Sequence, residues 1–340
     1  MGKAGTSRDM AEKTYDVVGI GNAIVDIIAR CDDGFLSKHD LAKGSMRLID
    51  ADEANRLYAS MGPAVERSGG SVANAIAGLA SFGAKCGFIG RVAADQFGGI
   101  FRHDIRSLGV AYDTLPADGA PTARCLILVT PDGERTMNTF LGASVDFRPE
   151  DLDLGLIGAA KIVYLEGYLF DRDEAKAAFR KAARAAKKAG AKVALTLSDA
   201  LCVDRHRADF KKLVREGADI VFANEKEIAT LYQVNSFEEA ADAALRDCEM
   251  AVLTRSEAGS VIVAAGETIQ ISAEKVSQVV DLTGAGDLYA AGFLYGLTHG
   301  APLPACGRLG SLAAGEAIGH IGARPEISLR KLASDRGLIG

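Results

Sequence analysis

The stretch that decides the fold is VVDLTGAGDLYAAGF, residues 279–293. Its apolar, β-rich beginning predicts a strand leading into a glycine loop, and the apolar spacing after the loop predicts a helix over about 288–297. Gly284 and Gly286 let the backbone turn sharply, so that loop N–H groups and the unpaired amides of the helix start form an anion cradle. Asp287 places a carboxylate in this cradle, which suits a general base beside a transferring phosphoryl group. The alternative is an ordinary turn in which Asp287 only caps the helix.

Composition places the chain among ordinary soluble globular proteins. It has 340 residues, of which 48% are hydrophobic and 25% charged, and its net charge is −6. No long Lys/Arg block marks a nucleic-acid or membrane surface, and no apolar run is long enough to span a membrane. The six cysteines form no CxxC pair and the five histidines no HExxH. This pattern disfavours a zinc enzyme and predicts reduced thiols in a cytoplasmic protein.

The order of predicted elements indicates one α/β domain over residues 14–330, preceded by a polar, disordered tail of residues 1–13. In the second half of the chain strands alternate with helices, which predicts a parallel sheet covered on both faces. A hairpin around the turn at 131–134 interrupts this alternation earlier in the chain. We therefore expect a small β-sheet lid built from about 22–49 and 122–143.

A second glycine motif, Gly69-Gly70-Ser71-x-x-Asn74, opens the segment 69–83, in which apolar residues recur at helical spacing. Two glycines allow a ligand to approach the backbone, and the Asn74 amide can both donate and accept a hydrogen bond. The alternative is a flexible turn with Asn74 exposed on the first helical turn.

Two common nucleotide-binding motifs do not occur in the sequence. There is no GxxxxGK[ST], which excludes a Walker-type NTPase. Gly19-x-Gly21 begins like a dinucleotide-binding fingerprint, but Ile24 occupies the third glycine position and no helix pattern begins there. Hydride transfer on a Rossmann fold is therefore disfavoured.

The two glycine motifs, in this order, resemble the signatures of the ribokinase-like (PfkB) family of carbohydrate and nucleoside kinases, and the resemblance covers about residues 15–325. It implies a three-layer α/β sandwich with a mostly parallel central sheet and a small β-sheet lid, and ATP and Mg²⁺ as cosubstrate and cofactor. It implies that Asp287 is the general base. The implied anion hole consists of the amides of Gly284, Ala285 and Gly286, and the implied substrate contacts include Gly69, Gly70, Ser71 and Asn74.

Asn22 and Asp26 are a candidate hydroxyl-binding pair. They lie four residues apart, so in an extended stretch they point to the same face. A carboxylate in the apolar run 24–28 is costly without a partner, and it can accept hydrogen bonds from two vicinal hydroxyls of a furanose. The alternative is an edge-strand Asp that faces water. The family resemblance favours ribose hydroxyls as the partners of Asp26.

Further residues match the family on its ATP side. Asn224-x-x-Glu227 resembles the NxxE motif, in which Glu227 organises Mg²⁺ and phosphate through water; a helix-capping box is the alternative, and both can hold. Arg135 resembles the lid Arg that closes on phosphate, the alternative being a cross-strand surface charge. The resemblance extends the ATP site to Thr254, Arg255, Ser256, Gly259, Gly284 and Gly286. It leaves open whether K⁺ binds near Asp281 and Thr283.

Within the family the sequence leaves the substrate open between a nucleoside and a sugar. The opening GIGNAIVDI, residues 19–27, resembles adenosine kinases, and this resemblance puts Cys125 against the base. The aromatic pair Tyr168 and Phe170 can stack on a purine. In contrast, Leu201 stands where many adenosine kinases have a Phe. Further lid contacts to the adenine are implied from Met137, Thr139 and Leu141.

Three functions follow, in order of preference. The first is ATP-dependent phosphorylation of a nucleoside 5′-hydroxyl, with adenosine as the preferred substrate. The second is phosphorylation of a ribose- or fructose-like sugar. The third, a catalytically silent nucleotide-sensing module, is disfavoured because Asp287 and the NxxE motif are intact. The sequence predicts no nucleic-acid or membrane partner and leaves monomer and homodimer open.

Overall fold

The computed structural model describes residues 13–340. The predicted tail lies outside the described residues except for Lys13, whose Nζ donates a hydrogen bond to the Gly158 carbonyl over 2.9 Å. Within 13–340 no helix combines the length and apolarity that a membrane crossing requires.

The larger sheet has eight strands in the order β13-β12-β11-β10-β9-β8-β1-β5. All neighbouring strands run parallel except β12 and β13, which add an antiparallel edge. This confirms the predicted mostly parallel sheet. Its strands are Tyr15–Ile20 (β1), Cys86–Ile89 (β5), Ala160–Glu166 (β8), Lys192–Thr196 (β9), Ile220–Asn224 (β10), Met250–Thr254 (β11), Ser260–Ala264 (β12) and Glu267–Ile271 (β13).

Helices cover both faces of this sheet, because successive strand residues point to opposite faces and both sets are apolar. Val17 packs in one core with helices α3, α11 and α12, while Val18 packs in the other with α6, α8, α9 and α10. The helices are Asp33–Lys38 (α1), Ala51–Ser60 (α2), Ser71–Phe82 (α3), Gln96–Ser107 (α4), Leu154–Gly158 (α5), Asp173–Lys188 (α6), Ala200–Arg205 (α7), Arg207–Glu216 (α8), Glu225–Tyr232 (α9), Phe237–Asp247 (α10), Ala285–Thr298 (α11), Leu303–Ala317 (α12) and Leu329–Asp335 (α13).

A second sheet of five strands, in the order β3-β7-β6-β2-β4, forms the lid. Four of its strands fall in the segments that the sequence predicts, and β4 does not. The β4 sequence AVERSG has its two apolar side chains next to each other at the start, and both are exposed, so it lacks the apolar alternation by which strands are recognised. The lid strands are Ile24–Arg30 (β2), Met46–Leu48 (β3), Ala64–Gly69 (β4), Ala123–Val129 (β6) and Arg135–Phe140 (β7).

The strand predicted before the glycine loop is wrong. Residues 272–283 contain no strand, and Val279, Val280 and Leu282 are exposed, so these apolar side chains do not enter the core. The backbone follows the end of α12 instead, because the Val280 N–H donates to the Ile318 carbonyl over 2.8 Å. Helix α11 begins at Ala285, three residues before the predicted start, so Asp287 lies in its first turn.

Candidate active site

The GAG loop, residues 281–287, turns at Gly284. This residue has φ +79° and is the N-cap of α11, and a Cβ at this position would collide with Ala323. Only glycine meets both demands. Ala285 and Gly286 then occupy the first helical turn, where backbone N–H groups have no intrahelical acceptor. The loop therefore presents a helix N-terminus that can stabilise negative charge.

The two glycine motifs meet at Asp287. Ser71 Oγ donates to its Oδ1 over 2.6 Å, and Asn74 Nδ2 donates to its Oδ2 over 3.0 Å, although these residues lie more than 200 positions away in the chain. Burial raises the pKa of Asp287 to about 6, and the two hydrogen bonds and the positive charge of Arg324 limit the rise. An oriented carboxylate with this pKa is ionised at neutral pH and can accept a proton.

Asp26 lies on the inner face of the lid. In the strand register it stands opposite Cys125, which in turn stands opposite Thr139, so these side chains form one row across the sheet. Thr139 Oγ1 donates to Cys125 Sγ over 3.3 Å. Burial raises the pKa of Asp26 to about 6, and the nearby charge of Asp287 contributes. The lid carboxylate and the core carboxylate are therefore close enough to interact.

Apolar side chains surround this row. Ile127 and Met137 stand opposite each other, two residues further along the strands than Cys125 and Thr139, and pack in a small cluster with Cys125. Leu141 follows β7, in the turn that leads to a short 3-10 helix at Gly142–Asp146. The inner face of the lid thus combines one carboxylate with a mostly apolar surface. The substrate roles predicted for Cys125, Met137, Thr139 and Leu141 stay predictions.

Asn22 does not lie in the same strand as Asp26, because β2 begins only at Ile24, and the Asn22 side chain binds Glu166 instead of joining the row of Asp26. Asn22 Nδ2 donates to Glu166 Oε1 over 2.7 Å, while its Oδ1 is buried and has no partner among residues 13–340. Glu166 also accepts from the Val72 N–H over 2.9 Å, and burial raises its pKa to about 7. Glu166 is not among the residues predicted from the sequence. The one signal for it is its position as an acidic residue at the end of an apolar strand.

Gly69 and Gly70 connect the lid to α3. Gly69 ends β4, and Gly70 is the N-cap of α3 with φ +105°. A Cβ at Gly70 would collide with the Asn22 carbonyl, so the chain segments that enter and leave the lid are in direct contact. The glycine pair thus serves a close backbone approach in the structure, and its contact with substrate stays a prediction.

The NxxE motif forms a complete capping box at the start of α9. Asn224 Oδ1 accepts from the Glu227 N–H over 2.8 Å, and Glu227 Oε2 accepts from the Asn224 N–H over 3.0 Å. Burial raises the pKa of Glu227 to about 7. Within residues 13–340 no group of three His, Cys, Asp or Glu side chains is arranged to hold a metal. A single carboxylate fits Mg²⁺, which keeps several waters and takes its other ligands from substrate phosphates.

The predicted ATP loop 254–259 lies beside this motif, because Thr254 pairs with Asn224 in adjacent parallel strands. The loop closes with a hydrogen bond from the Arg255 N–H to the Gly259 carbonyl, and Ser256 begins a 3-10 turn inside it. Arg255 packs over the Phe237 ring at 4.1 Å and pairs with Glu225 at 3.1 Å. The fold brings the loop to the expected end of the sheet, and its contacts with ATP stay a prediction.

Arg135 bridges the lid and the GAG loop. Its Nη1 lies 2.8 Å from Asp281 Oδ2 and donates to Thr283 Oγ1, also over 2.8 Å. Asp281 further accepts from the N–H groups of Thr283 and Gly322. The Arg135 and Asp281 side chains are 10% and 3% exposed, so the alternative of a surface charge is wrong for this Arg. The Arg135 guanidinium therefore pairs with Asp281, the carboxylate beside the open K⁺ position.

The predicted aromatic pair is divided between surface and core. Tyr168 is 40% exposed at the surface. Partial burial of its hydroxyl, followed by the charges of Asp199 and Asp287, raises its pKa, so the hydroxyl lies within range of the Asp287 charge. Phe170 is 2% exposed and stacks on Phe210 at 4.1 Å, so it does not face a ligand. Leu201 is exposed on α7.

An α/β sandwich with a β-lid, and with an oriented carboxylate at an anion-binding helix start, defines a phosphotransferase that acts on a hydroxyl group. Residues 45–329 match the sequence profile of the pfkB family carbohydrate kinases. The chain therefore belongs to the PfkB family, whose members use ATP as the phosphoryl donor, generally with Mg²⁺.

Two solved structures and one curated sequence show how relatives are named. A probable sugar kinase from Rhizobium etli CFN 42 is 51% identical, covers 96% of this chain and 99% of its own, and has a TM-score of 0.89. The adenosine kinase from Sinorhizobium meliloti is 53% identical, with 95% and 99% coverage and a TM-score of 0.87. The 5-dehydro-2-deoxygluconokinase of Listeria monocytogenes is 28% identical over 89% of this chain and 90% of its own. The relatives thus include kinases of nucleosides and of sugar derivatives.

Proposed function

We propose that this protein phosphorylates the 5′-hydroxyl of a nucleoside, with adenosine as the preferred substrate, producing AMP and ADP from adenosine and ATP. The observation that carries the proposal is the row Asp26, Cys125 and Thr139 on an otherwise apolar lid face. A carboxylate can accept hydrogen bonds from the two vicinal hydroxyls of a ribose, and an adjoining apolar surface suits a purine. The relative named adenosine kinase, at 53% identity, supports the same choice.

In this mechanism the oxygen of the 5′-hydroxyl attacks the γ-phosphorus while Asp287 accepts the hydroxyl proton. The bond from the γ-phosphorus to the β,γ-bridging oxygen breaks, and ADP leaves with its electron pair. Ser71 and Asn74 keep the carboxylate oriented for this transfer. The amides at the start of α11 stabilise the charge that develops on the transferred group. When bound, Mg²⁺ would neutralise the phosphate charges, with Glu227 holding one of its waters. Arg135 would release Asp281 to reach the same phosphates, and K⁺ activation near Asp281 and Thr283 stays open.

A sugar kinase acting on a ribose- or fructose-like substrate is the second candidate. Its support is the buried polar pair Asn22 and Glu166, because the free Asn22 Oδ1 can accept from a further sugar hydroxyl. The absence of an aromatic side chain at exposed Leu201 points the same way. The relative named sugar kinase, at 51% identity, is consistent with it.

A coupled assay of ADP release over matched nucleosides and sugars tests the choice. The panel contains adenosine, guanosine, cytidine, ribose, fructose and 5-dehydro-2-deoxygluconate, each with ATP and Mg²⁺. The proposal expects kcat/KM for adenosine to exceed that of every sugar. 5′-Deoxyadenosine is the control that keeps the base and loses the acceptor hydroxyl. Faster turnover of a sugar than of adenosine would overturn the nucleoside assignment and support the second candidate.

A further inference from the structure

Arg324 lies in the loop that follows α12, a segment to which sequence reasoning gave no function. The two residues before it contact the GAG loop directly. The Gly322 N–H donates to Asp281 Oδ2 over 2.8 Å, and Ala323 packs against Gly284 at the turn. The backbone that carries Arg324 is therefore fixed to the loop that presents the anion hole.

The Arg324 side chain extends from this loop to Ser68, near the end of lid strand β4. Its Nε donates to the Ser68 carbonyl over 3.0 Å, and its Nη2 donates to Ser68 Oγ over 2.9 Å. Ser68 in turn donates to Asp104 on α4, through its N–H over 2.8 Å and through its hydroxyl. Ser68 immediately precedes the Gly69–Gly70 connection, so the tie holds the lid at the point where it joins α3.

The charge of Arg324 acts on the lid carboxylate and on the core carboxylate. Its positive charge lowers the pKa of Asp26 and of Asp287, against the larger effect of burial in each case. Its Nη1 is buried and has no hydrogen-bond partner among the described residues. The guanidinium is thus held by two of its nitrogens, and the third is left for a ligand.

We propose that Arg324 is a positioning residue of the phosphoryl-transfer site, which fixes the end of β4 against the GAG loop and supplies a positive charge beside Asp26 and Asp287. Two carboxylates that share a site repel each other, so the loss of a neighbouring cation favours protonation of one of them. Arg135 on β7 also acts on Asp26, whereas the charge of Arg324 acts on both carboxylates. The groups whose charges couple to Asp287 are otherwise acidic, and its direct hydrogen-bond donors are neutral. They are Asp26 on β2, Tyr164 and Glu166 on β8, Tyr168 after β8, Glu227 on α9, and Ser71 and Asn74 on α3.

The proposal rests on the role of Asp287 as base and not on the identity of the substrate. The test therefore uses whichever acceptor of the panel the wild type phosphorylates fastest. If that acceptor is a sugar, the nucleoside assignment has failed and the test of Arg324 proceeds unchanged. The pH dependence of kcat/KM from pH 5 to 9 is measured for wild type, R324M, R324K and the matched control S68A, together with Tm for each protein.

In R324M the acid limb of kcat/KM should move to higher pH by about one unit, because the base loses its neighbouring cation. Its activity relative to wild type should then be about fivefold lower at pH 6 than at pH 8.5. S68A keeps the cation and loses the Nη2 contact, so its acid limb should stay in place while KM rises. R324K should behave in the same way, because its ammonium keeps the charge but cannot reproduce the paired contacts with Ser68.

A constant fold loss of R324M activity at every pH would overturn the proposal, since a merely structural Arg affects all protonation states equally. An equal displacement of the acid limb in S68A would overturn it as well. If R324M does not unfold cooperatively, R324K decides the question. An unmoved acid limb with a raised KM in R324K supports the proposal, and a displaced limb refutes it.

Discussion

Replacing Asp287 by Asn separates the catalytic role of this carboxylate from its effect on stability. An Asn keeps an oxygen that accepts from Ser71 Oγ, and its Nδ2 faces Asn74. Asn74 Oδ1 is buried and has no partner within residues 13–340, so a flip of the Asn74 amide turns this oxygen toward the new donor. The substitution therefore fits the folded site without a loss of hydrogen bonds.

The magnitude of the stability effect follows from the pKa of Asp287, which burial raises from 3.8 to about 6. At about 1.4 kcal/mol per pH unit, keeping this group ionised lowers the free energy of unfolding by roughly 3 kcal/mol at neutral pH, as an upper bound. Because the pKa of this acid is raised in the folded state, the free energy of unfolding of the protein falls as pH rises from about 4 to about 6. Asn has no such loss, so the variant should be more stable than wild type above pH 6 and nearly equal to it near pH 4.

Catalysis should change in the opposite direction. General-base assistance contributes about 10²- to 10⁴-fold, so kcat of D287N should fall by at least two decades while substrate affinity stays near wild type. The assay pairs coupled ADP release at pH 7.5 with thermal unfolding at pH 4.5 and 7.5. D242N, on the exposed face of α10, is the control for an Asp-to-Asn change. A D287N protein with wild-type turnover, or with a lower Tm than wild type at pH 7.5, refutes the reasoning.

Three further predictions concern residues around Asp287. D26A should raise KM sharply for ribosyl substrates and leave 2′,3′-dideoxyadenosine nearly unaffected, because a site built for two hydroxyls discriminates against analogues that lack them; an equal penalty on both compounds would make Asp26 structural. R135A removes the bridge to Asp281, so kcat should fall and the rate of ADP release from ATP in the absence of an acceptor should rise. An unchanged rate of this ATP hydrolysis would contradict a role of Arg135 in closing the lid. E227Q should raise the Mg²⁺ concentration for half-maximal rate by about tenfold, measured by Mg²⁺ titration, and an unaltered requirement would leave only the capping box.

The glycine motifs were readable from the sequence because their chemistry is local. Gly284 and Gly70 occupy backbone conformations with positive φ, and each is packed so closely that no side chain fits. Such positions fix residue identity regardless of the rest of the fold. The continuous apolar runs of the central strands and their alternation with helices are equally local, which is why the parallel sheet was predictable.

The contacts that assemble the site could not be read in the same way. Glu166 and Val72 are 94 residues apart, and Arg324 and Ser68 are 256 apart, and neither pair lies in a recognisable motif. Their pairing depends on how the lid and the core come together, which no periodicity encodes. The prediction of a strand before the GAG loop was wrong for a related reason. The apolar residues of that segment are exposed, so hydrophobicity there does not report burial.

The arrangement of these contacts indicates how lid movement and catalysis are linked. Glu166 accepts from Asn22, just before lid strand β2, and from the Val72 N–H, just after lid strand β4, so one buried carboxylate holds both ends of this lid segment. Strand β7, on the other side of the lid sheet, is held through Arg135 and Asp281. Since α3 also carries the groups that orient Asp287, any rotation of the lid about these two ends would act directly on the base. Closure over a substrate would therefore align the base and enclose the acceptor hydroxyl in one motion, which excludes water from the phosphoryl group.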